Sequence, residues 1–351
     1  MLPQKRYSES ENSLPEKHSK STEVINKAIR HEEFYEGRRN IPVAASRVEG
    51  VRKFNNWIKS VLFQEYTQQG FTVLDLCCGK GGDIGKFNRH RISFYVGVDC
   101  SKQSLIEAKD RFTNIKCKFD ALLVCGDVAD PEISVNDIVS REFTLDYDLV
   151  SCQFALNYVW RSEETALKFF ENATCNLKPG GVFIGTIPDA QVLVTKLRKL
   201  SNNCVFGNEF YSIKFSKSEF PQSEGEFGLE YGFYLEDSVG QQIYRSEGIE
   251  YNYVPEFLIT RRKLEEIGAR FGLKLVKFQN FHEFYEGYKE KYKNLLKNFL
   301  GGVSLDEQQW DITYLYLVFV FEKEGKFEQP PKHSHSLSPD AKIVYMREIE
   351  D

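Results

Sequence analysis

Short apolar runs alternate along the chain with longer amphipathic stretches. FTVLDLCCG, starting at Phe71, is a brief apolar run ending in glycine, the pattern of a parallel strand buried on both faces. A helix is expected to start between Gly81 and about Arg89. FYVGVDC reads as a second strand, and Ser101 is placed to cap the helix KQSLIEAKDRF. ALLVCGD and YDLVSCQFAL supply a third and a fourth strand. ETALKFFENATCNL is an amphipathic helix closed by Lys178-Pro179-Gly180-Gly181, and VFIGTIPD follows as a fifth strand. This alternation predicts βαβ units, hence a mostly parallel sheet covered by helices on both faces.

The rhythm breaks from about Leu200 to Tyr253, where FGNEFYSIKFS and FGLEYGFYLED are rich in aromatics, glycine and charge and read as inserted β-hairpins. RRKLEEIGARFG returns as a helix and KLVKFQNFHEFY as a strand. TYLYLVFVFEK is a last, strongly apolar strand expected to close the sheet in antiparallel sense. The fold class predicted is α/β: a Rossmann-like doubly wound sheet with an antiparallel closing strand. The β-rich insertion at about 200–255 would form a substrate lobe.

Flanking composition sets the domain limits. Residues 1–30 are polar, charged and serine-rich, the pattern of a solvated tail. The folded domain is expected over 31–323. Residues 324–351 look like a second tail, whose Pro-Pro pair, histidines and serines predict no packed element. With 41% apolar residues over a length of 351, a large core is possible. No apolar run approaches the roughly 20 residues of a spanning helix, and the N-terminus lacks an apolar signal region, so an intracellular protein away from membranes is expected. The 8 cysteines form no C-x-x-C pair and have no histidines at zinc spacing. Reduced thiols and no bound metal are expected. The net charge of −5 argues against a general nucleic-acid coat, yet leaves room for an RNA end held in one basic cleft.

The chemistry concentrates between Val73 and Asp99. Open α/β sheets bind ligands beyond the carboxyl ends of their strands, and the first strand here runs into Asp75-Leu76-Cys77-Cys78-Gly79-Lys80-Gly81-Gly82-Asp83. Glycine lets such a turn be sharp and lets a ligand approach the backbone. Asp99, ending the second strand, is placed for two ribose hydroxyls, and Asp127, after the third, for an adenine edge. NAD stays open as the alternative, though a dinucleotide would call for G-x-G-x-x-G to seat its pyrophosphate. The spacing Gly79-x-Gly81-Gly82 after Asp75 suits a nucleoside carrying an amino acid, and the cofactor is read as S-adenosylmethionine. LKPGGVFIGTIP before the fifth strand agrees with that reading.

The blocks KFNNWIKSVL, VLDLCCGKGGD, VGVDCSKQSL, SCQFALNY, LKPGGVFIGTIPD, FGNEFYSIKF, VPEFL and YLYLVFVFE together resemble the mRNA cap guanine-N7 methyltransferases, class I S-adenosylmethionine-dependent enzymes. They cover roughly residues 35–323. The resemblance implies methyl transfer from S-adenosylmethionine to guanine N7 of a 5′ GpppN RNA end, releasing S-adenosylhomocysteine. It implies cofactor contacts at Lys59, Cys77, Gly79, Asp99, Asp127, Gln153 and Tyr158. Cap contacts are implied at Asn55, Asn56, Lys80, Lys86, Arg111, Asn157, Glu256 and Tyr316. Capped RNA is the implied partner, with other capping enzymes or RNA polymerase II beside it, in the nucleus, the chain acting as a monomer. No general base is expected, because guanine N7 has a free lone pair and the sulfonium methyl is already activated. Tyr158 and Glu256 would orient the reactants.

Each residue also has a plainer reading. Lys86 and Arg111 sit on predicted helices, where solvated charge is the default. Tyr316 could be strand packing, Glu256 an exposed loop acid, and Asn55-Asn56 the cap of the helix WIKSVLFQEY. Two positions depart from the family: Cys77 stands where glycine is usual, and Asn157 where histidine is. They keep open a non-catalytic paralogue that binds cap or cofactor, and a methyltransferase for another RNA or small molecule.

Overall fold

The computed structural model describes residues 42–132, 134–200, 203–216, 227–245, 248–301, 303–325 and 341–345. The N-terminal tail expected over 1–30 therefore lies outside the described residues, as does most of the C-terminal one. In chain order the elements are α1 (Glu49–Tyr66), β1 (Thr72–Leu76), α2 (Ile84–His90), β2 (Phe94–Asp99), α3 (Lys102–Ile115) and β3 (Asp120–Cys125). They continue with α4 (Val135–Ser140), β4 (Tyr147–Gln153), α5 (Leu156–Val159), α6 (Glu163–Thr174), β5 (Leu177–Pro188) and α7 (Ala190–Arg198). Then come β6 (Val205–Gly207), β7 (Tyr211–Phe215), β8 (Glu230–Leu235), β9 (Gln241–Arg245), β10 (Gly248–Asn252) and β11 (Val254–Phe257). The last are α8 (Arg261–Arg270), β12 (Leu273–Asn280), α9 (Phe281–Tyr288), α10 (Lys293–Leu300), α11 (Glu307–Thr313), β13 (Tyr316–Lys323) and β14 (Ala341–Tyr345).

The main sheet has the order β12-β13-β5-β4-β1-β2-β3-β14. β1 pairs in parallel with both β2 and β4, so the strand order reverses there. Every residue of β1 is buried, because helices cover both sheet faces. Val73 joins the core formed with α1, α2 and α3, whereas Leu74 and Leu76 point into the core under α4, α6 and α8. On α1, Phe54, Trp57, Ile58, Val61 and Leu62 are fully buried at helical spacing. Each contributes about 1.5–3 kcal/mol of apolar burial. Asn55 and Lys59, four residues apart, then share another face of the same helix.

The predicted antiparallel strand exists as β13, but it lies between β5 and β12 and is not the sheet edge. The insertion forms a four-stranded antiparallel sheet, β11-β8-β7-β6, beside the β9–β10 hairpin. Three sequence expectations need correction. KLVKFQNFHEFY is a strand only to Asn280, whose side chain accepts the His282 N–H and turns the chain into α9. Asn55-Asn56 cap nothing, because α1 begins at Glu49 and both lie inside it. In the 324–351 segment, Ala341–Tyr345 do form an element: they pair in parallel along the outer edge of β3, with Ala341 buried. The free backbone groups of that edge, which composition does not register, supply the template. Among the described residues no helix is long and apolar enough to cross a membrane.

Candidate active site

The turn after β1 folds tightly because three residues adopt left-handed backbone: Cys77 (φ 57°), Gly79 (φ 52°) and Gly81 (φ 66°). The Cys78 N–H donates to Val98 O at 3.0 Å and the Gly81 N–H to Cys78 O at 3.1 Å, which anchors the turn to β2. A side chain at Gly81 would sit 2.5 Å from Ile84 Cδ1 and 3.0 Å from Ala108 Cβ. Gly79 and Gly82 differ: a Cβ on either meets nothing within 4 Å, so open space lies against their backbone. Cys77 carries a side chain in a conformation that costs an L-residue roughly 1–2 kcal/mol. The neighbouring Cys152 thiol and burial push its own thiol well above the usual range. Cys77→Gly is expected to raise thermal stability by about 1 kcal/mol. A loss of stability would show that thiol packing outweighs the backbone strain.

Asp99 closes β2 with one carboxylate oxygen accepting the Gly79 N–H (2.8 Å) and the other the Ser101 N–H (3.0 Å). Burial raises its pKa against these two bonds. Each oxygen keeps a lone pair for a further donor. Beyond β3, Asp127 Oδ1 accepts the Ala129 N–H at 2.9 Å. Gln153, at the end of β4, is tied to Ser151 and Thr186.

Beneath the turn lies a charge cluster that the sequence did not reveal. Asp83 receives Lys59 Nζ on one oxygen (2.8 Å) and Lys86 Nζ on the other (2.6 Å). Lys86 also donates to Asn56 Oδ1 at 3.1 Å and Gly82 O at 3.4 Å, so its three protons are used inside the protein. The Asn56 amide nitrogen in turn donates to Arg52 O. Asp83 titrates far below the usual carboxylate range: burial opposes its ionisation, but the two lysines outweigh it. Burial lowers the Lys86 ammonium to about 8, with Asp83 opposing. Among the described residues Lys59 has only Asp83, which leaves its other protons for a ligand. Asn55 has a buried side-chain oxygen without a partner. On the rim, Lys80 pairs with Glu107 at 2.8 Å and its carbonyl holds Arg111 Nε at 3.0 Å. The exposed remainder of that guanidinium has no partner among the described residues.

A second cluster joins the inserted lobe to the main sheet. Glu256 on β11 lies directly across from Tyr231 on β8. Tyr231 OH donates to Glu256 Oε2 at 2.6 Å, and Tyr158 OH, from α5, donates to Oε1 at 3.0 Å. Glu256 is thus a buried, clamped carboxylate and not a loop acid. Burial pushes its pKa up to about 7, although the two tyrosines and the Asn157 amide pull it back. Asn157 is buried close enough to Glu256 to act on its carboxylate, yet among the described residues neither amide atom completes a hydrogen bond. Buried polar atoms without partners are rare in folded proteins and mark places where a ligand or water completes the bonding. Tyr316, at the start of β13, packs against Phe281 (5.7 Å) and edge-on to Phe154 (5.2 Å). Phe154 holds φ 60°, strained for an aromatic residue, while its N–H donates to Thr186.

Sequence reasoning missed Tyr231, Asp83, Phe154 and Phe281. Phe154, in the quoted SCQFALNY block, and Asp83, which ends the quoted VLDLCCGKGGD block, had a local signal. The residues present suit the cofactor read from the sequence. Asp99 has spare acceptor capacity, Lys59 spare donors, and the glycine turn an open face at Gly79 and Gly82.

Residues 16–324 match the family model of the mRNA (guanine-N(7))-methyltransferase domain. The chain is 34% identical over 342 residues to mRNA cap guanine-N(7) methyltransferase 1 of Oryza sativa subsp. japonica, covering 92% of this chain and 85% of that protein. It is 36% identical over 303 residues to the Arabidopsis thaliana protein of the same name, covering 80% and 77%. A solved S-adenosylmethionine-dependent methyltransferase from Clostridium acetobutylicum aligns over 88% of this chain and 99% of its own at 16% identity, with a TM-score of 0.47.

Proposed function

The chain belongs to the mRNA (guanine-N7)-methyltransferase family, and from that premise we propose how its residues carry out the reaction. The enzyme transfers a methyl group from S-adenosylmethionine to N7 of the guanine cap of mRNA. The bound cofactor supplies an activated sulfonium methyl. Asp99 receives the ribose hydroxyls, Asp127 the adenine amino group and Lys59 the carboxylate of the amino-acid end, with Gly79 and Cys77 lining the turn. Gln153 braces the end of β4 next to them.

The observation that carries the cap assignment is Glu256, a buried carboxylate clamped by two tyrosine hydroxyls. Guanine presents N1–H and N2–H side by side, and a carboxylate accepts both. Methylation moves positive charge onto the guanine ring, so the same carboxylate stabilises the transition state more than the ground state. No side chain removes a proton: Tyr158, Asn157 and Glu256 hold the guanine so that N7 faces the methyl group. Tyr316 packs on the ring, and Asn55 adds a polar contact. Lys80 and Arg111 meet the triphosphate.

Lys86 and Asn56 support the site from below. Replacing Lys80 by methionine should flatten the dependence of log affinity for GpppRNA on log salt by about 0.7, the loss of one phosphate contact. Lys86→Met should leave that slope unchanged, and a slope that falls equally would return Lys86 to the phosphates. Our reading also carries a nuclear location, other capping enzymes or RNA polymerase II as protein partners, and a monomeric enzyme. The decisive experiment supplies labelled S-adenosylmethionine with GpppRNA, using GTP, GpppA and uncapped RNA as competitors. Label at cap N7 is expected. Cap binding without transfer would overturn the catalytic reading.

A further inference from the structure

The mechanism above makes no use of Arg161, a largely buried cation whose Nε has no partner among the described residues. It lies two residues past the end of α5 and three after Tyr158. Its carbonyl lies 3.2 Å from where a side chain at Gly228 would begin, and the Gly228 N–H is held by Trp160 O. The segment that leads into β8 of the inserted lobe therefore packs over this stretch. The Arg161 side chain is 12% exposed, yet among the described residues it makes a single contact, Nη2 to Asp127 Oδ2 at 3.4 Å. Its Nε is buried without a partner. A guanidinium has five N–H donors, and one so enclosed is expected to have most of them satisfied. The loop bearing Asp127 is itself fixed. Asn172 of α6 donates to Val128 O at 2.8 Å and accepts the Val135 N–H at 2.9 Å. Asp127 and Arg161 thus form a rigid acceptor–donor pair at one edge of the cofactor site, with the Asp127 carboxylate about one-third exposed.

We propose that Arg161 is a specificity-determining residue that reads the adenine of the cofactor jointly with Asp127. The carboxylate accepts the exocyclic N6–H while the guanidinium donates to ring nitrogen N1. This rests on the reading that Asp127 stands at the adenine. The chemistry is complementary: adenine offers a donor at N6 beside an acceptor at N1. Hypoxanthine inverts both, with an acceptor oxygen at C6 and a proton on N1. It would face carboxylate with oxygen and guanidinium with N–H, leaving buried groups unpaired, which sites of this kind reject strongly.

Calorimetric titration tests the pair with S-adenosylhomocysteine, S-inosylhomocysteine and, as an independent ligand, GpppA. Wild-type protein should prefer the adenosyl compound by about a hundredfold. Arg161→Ala should weaken S-adenosylhomocysteine about tenfold and narrow that preference, with GpppA affinity unchanged. Arg161→Lys, which keeps the charge and one donor direction, should fall between, and Asp127→Ala should abolish the preference. The inference is overturned if Arg161→Ala binds both nucleosides as wild type does. It is equally overturned if Arg161→Ala and Arg161→Lys lose GpppA in step with S-adenosylhomocysteine, since that marks a structural role. Wild-type protein that binds neither nucleoside overturns the cofactor assignment and this inference with it.

Discussion

Glu256→Gln is expected to lower kcat/KM for GpppRNA by about two to three orders of magnitude while leaving KM for S-adenosylmethionine near its original value. Glutamine fills the same space but turns one acceptor into a donor against guanine, which offers only donors at that edge. It also removes the negative charge that the methylated ring requires. The carboxyl of the free enzyme titrates at about 7, so kcat/KM for the cap should rise with pH up to about 7 and then level off. The glutamine variant should lack that limb. A variant whose pH profile keeps the limb would assign it to another group.

Stability should move the other way. The folded pKa of Glu256 lies above its ordinary value of 4.5, because burial outweighs the hydroxyls of Tyr231 and Tyr158. The protonated form is the comfortable one. Its contribution is complete below about pH 4.5 and is lost as pH rises through about 7, in all about 3 kcal/mol. Glu256→Gln should therefore unfold at a higher temperature than wild type at pH 8 and at a similar one at pH 4.5. A binding group held at a cost to the fold is common at active sites. Equal melting shifts at the two pH values would separate the stability of the lobe from this titration.

The second large effect is on the fold itself. Asp83→Ala leaves the ammonium groups of Lys59 and Lys86 facing each other in a nearly closed space, and should destabilise the protein by about 3–5 kcal/mol. In wild type, Asp83 is ionised far below its ordinary pKa through Lys59 and Lys86, so its stabilisation is present above about pH 4 and is lost as the medium becomes more acidic. Lys86 works in the opposite sense. Burial holds it at about 8, below an ordinary lysine at 10.5, so stability increases as pH rises through that interval. Without Asp83 that recovery should begin at lower pH, and the deficit measured by urea unfolding should shrink between pH 7 and 9.5. A deficit independent of pH would assign the loss to packing alone.

These cases show which parts of the site a sequence can carry. Gly79, Asp99 and the strand preceding them were legible because strand, turn and acidic strand end are encoded within one short stretch. Lys86 was not, because helical periodicity marks a lysine as solvated and cannot see a carboxylate at i−3 enclosed under a second helix. Glu256 was nameable only through the family resemblance. Its burial and its clamp depend on the register of β8 against β11, which places Tyr231 opposite, and on the docking of α5. Arg161 carried no signal for the same reason. The sheet shows the same division. Parallel strands β1 to β5 follow from alternation, whereas β14 depends on an open edge elsewhere, and α9 was hidden because FHEFY continues the apolar alternation of β12.

The place of β13 has a consequence for how the enzyme comes into being. β5 waits for a neighbour that arrives only after the whole lobe, since Pro188 pairs with Tyr316. Such distant pairings are slow to close, because chain entropy is lost before the contact forms. The pairings among β1 to β4, by contrast, close over shorter stretches of chain, the longest of them joining β1 to β4. During folding, the half of the molecule that holds the methyl donor can therefore assemble before the half that recognises the RNA end has a sheet to lean on.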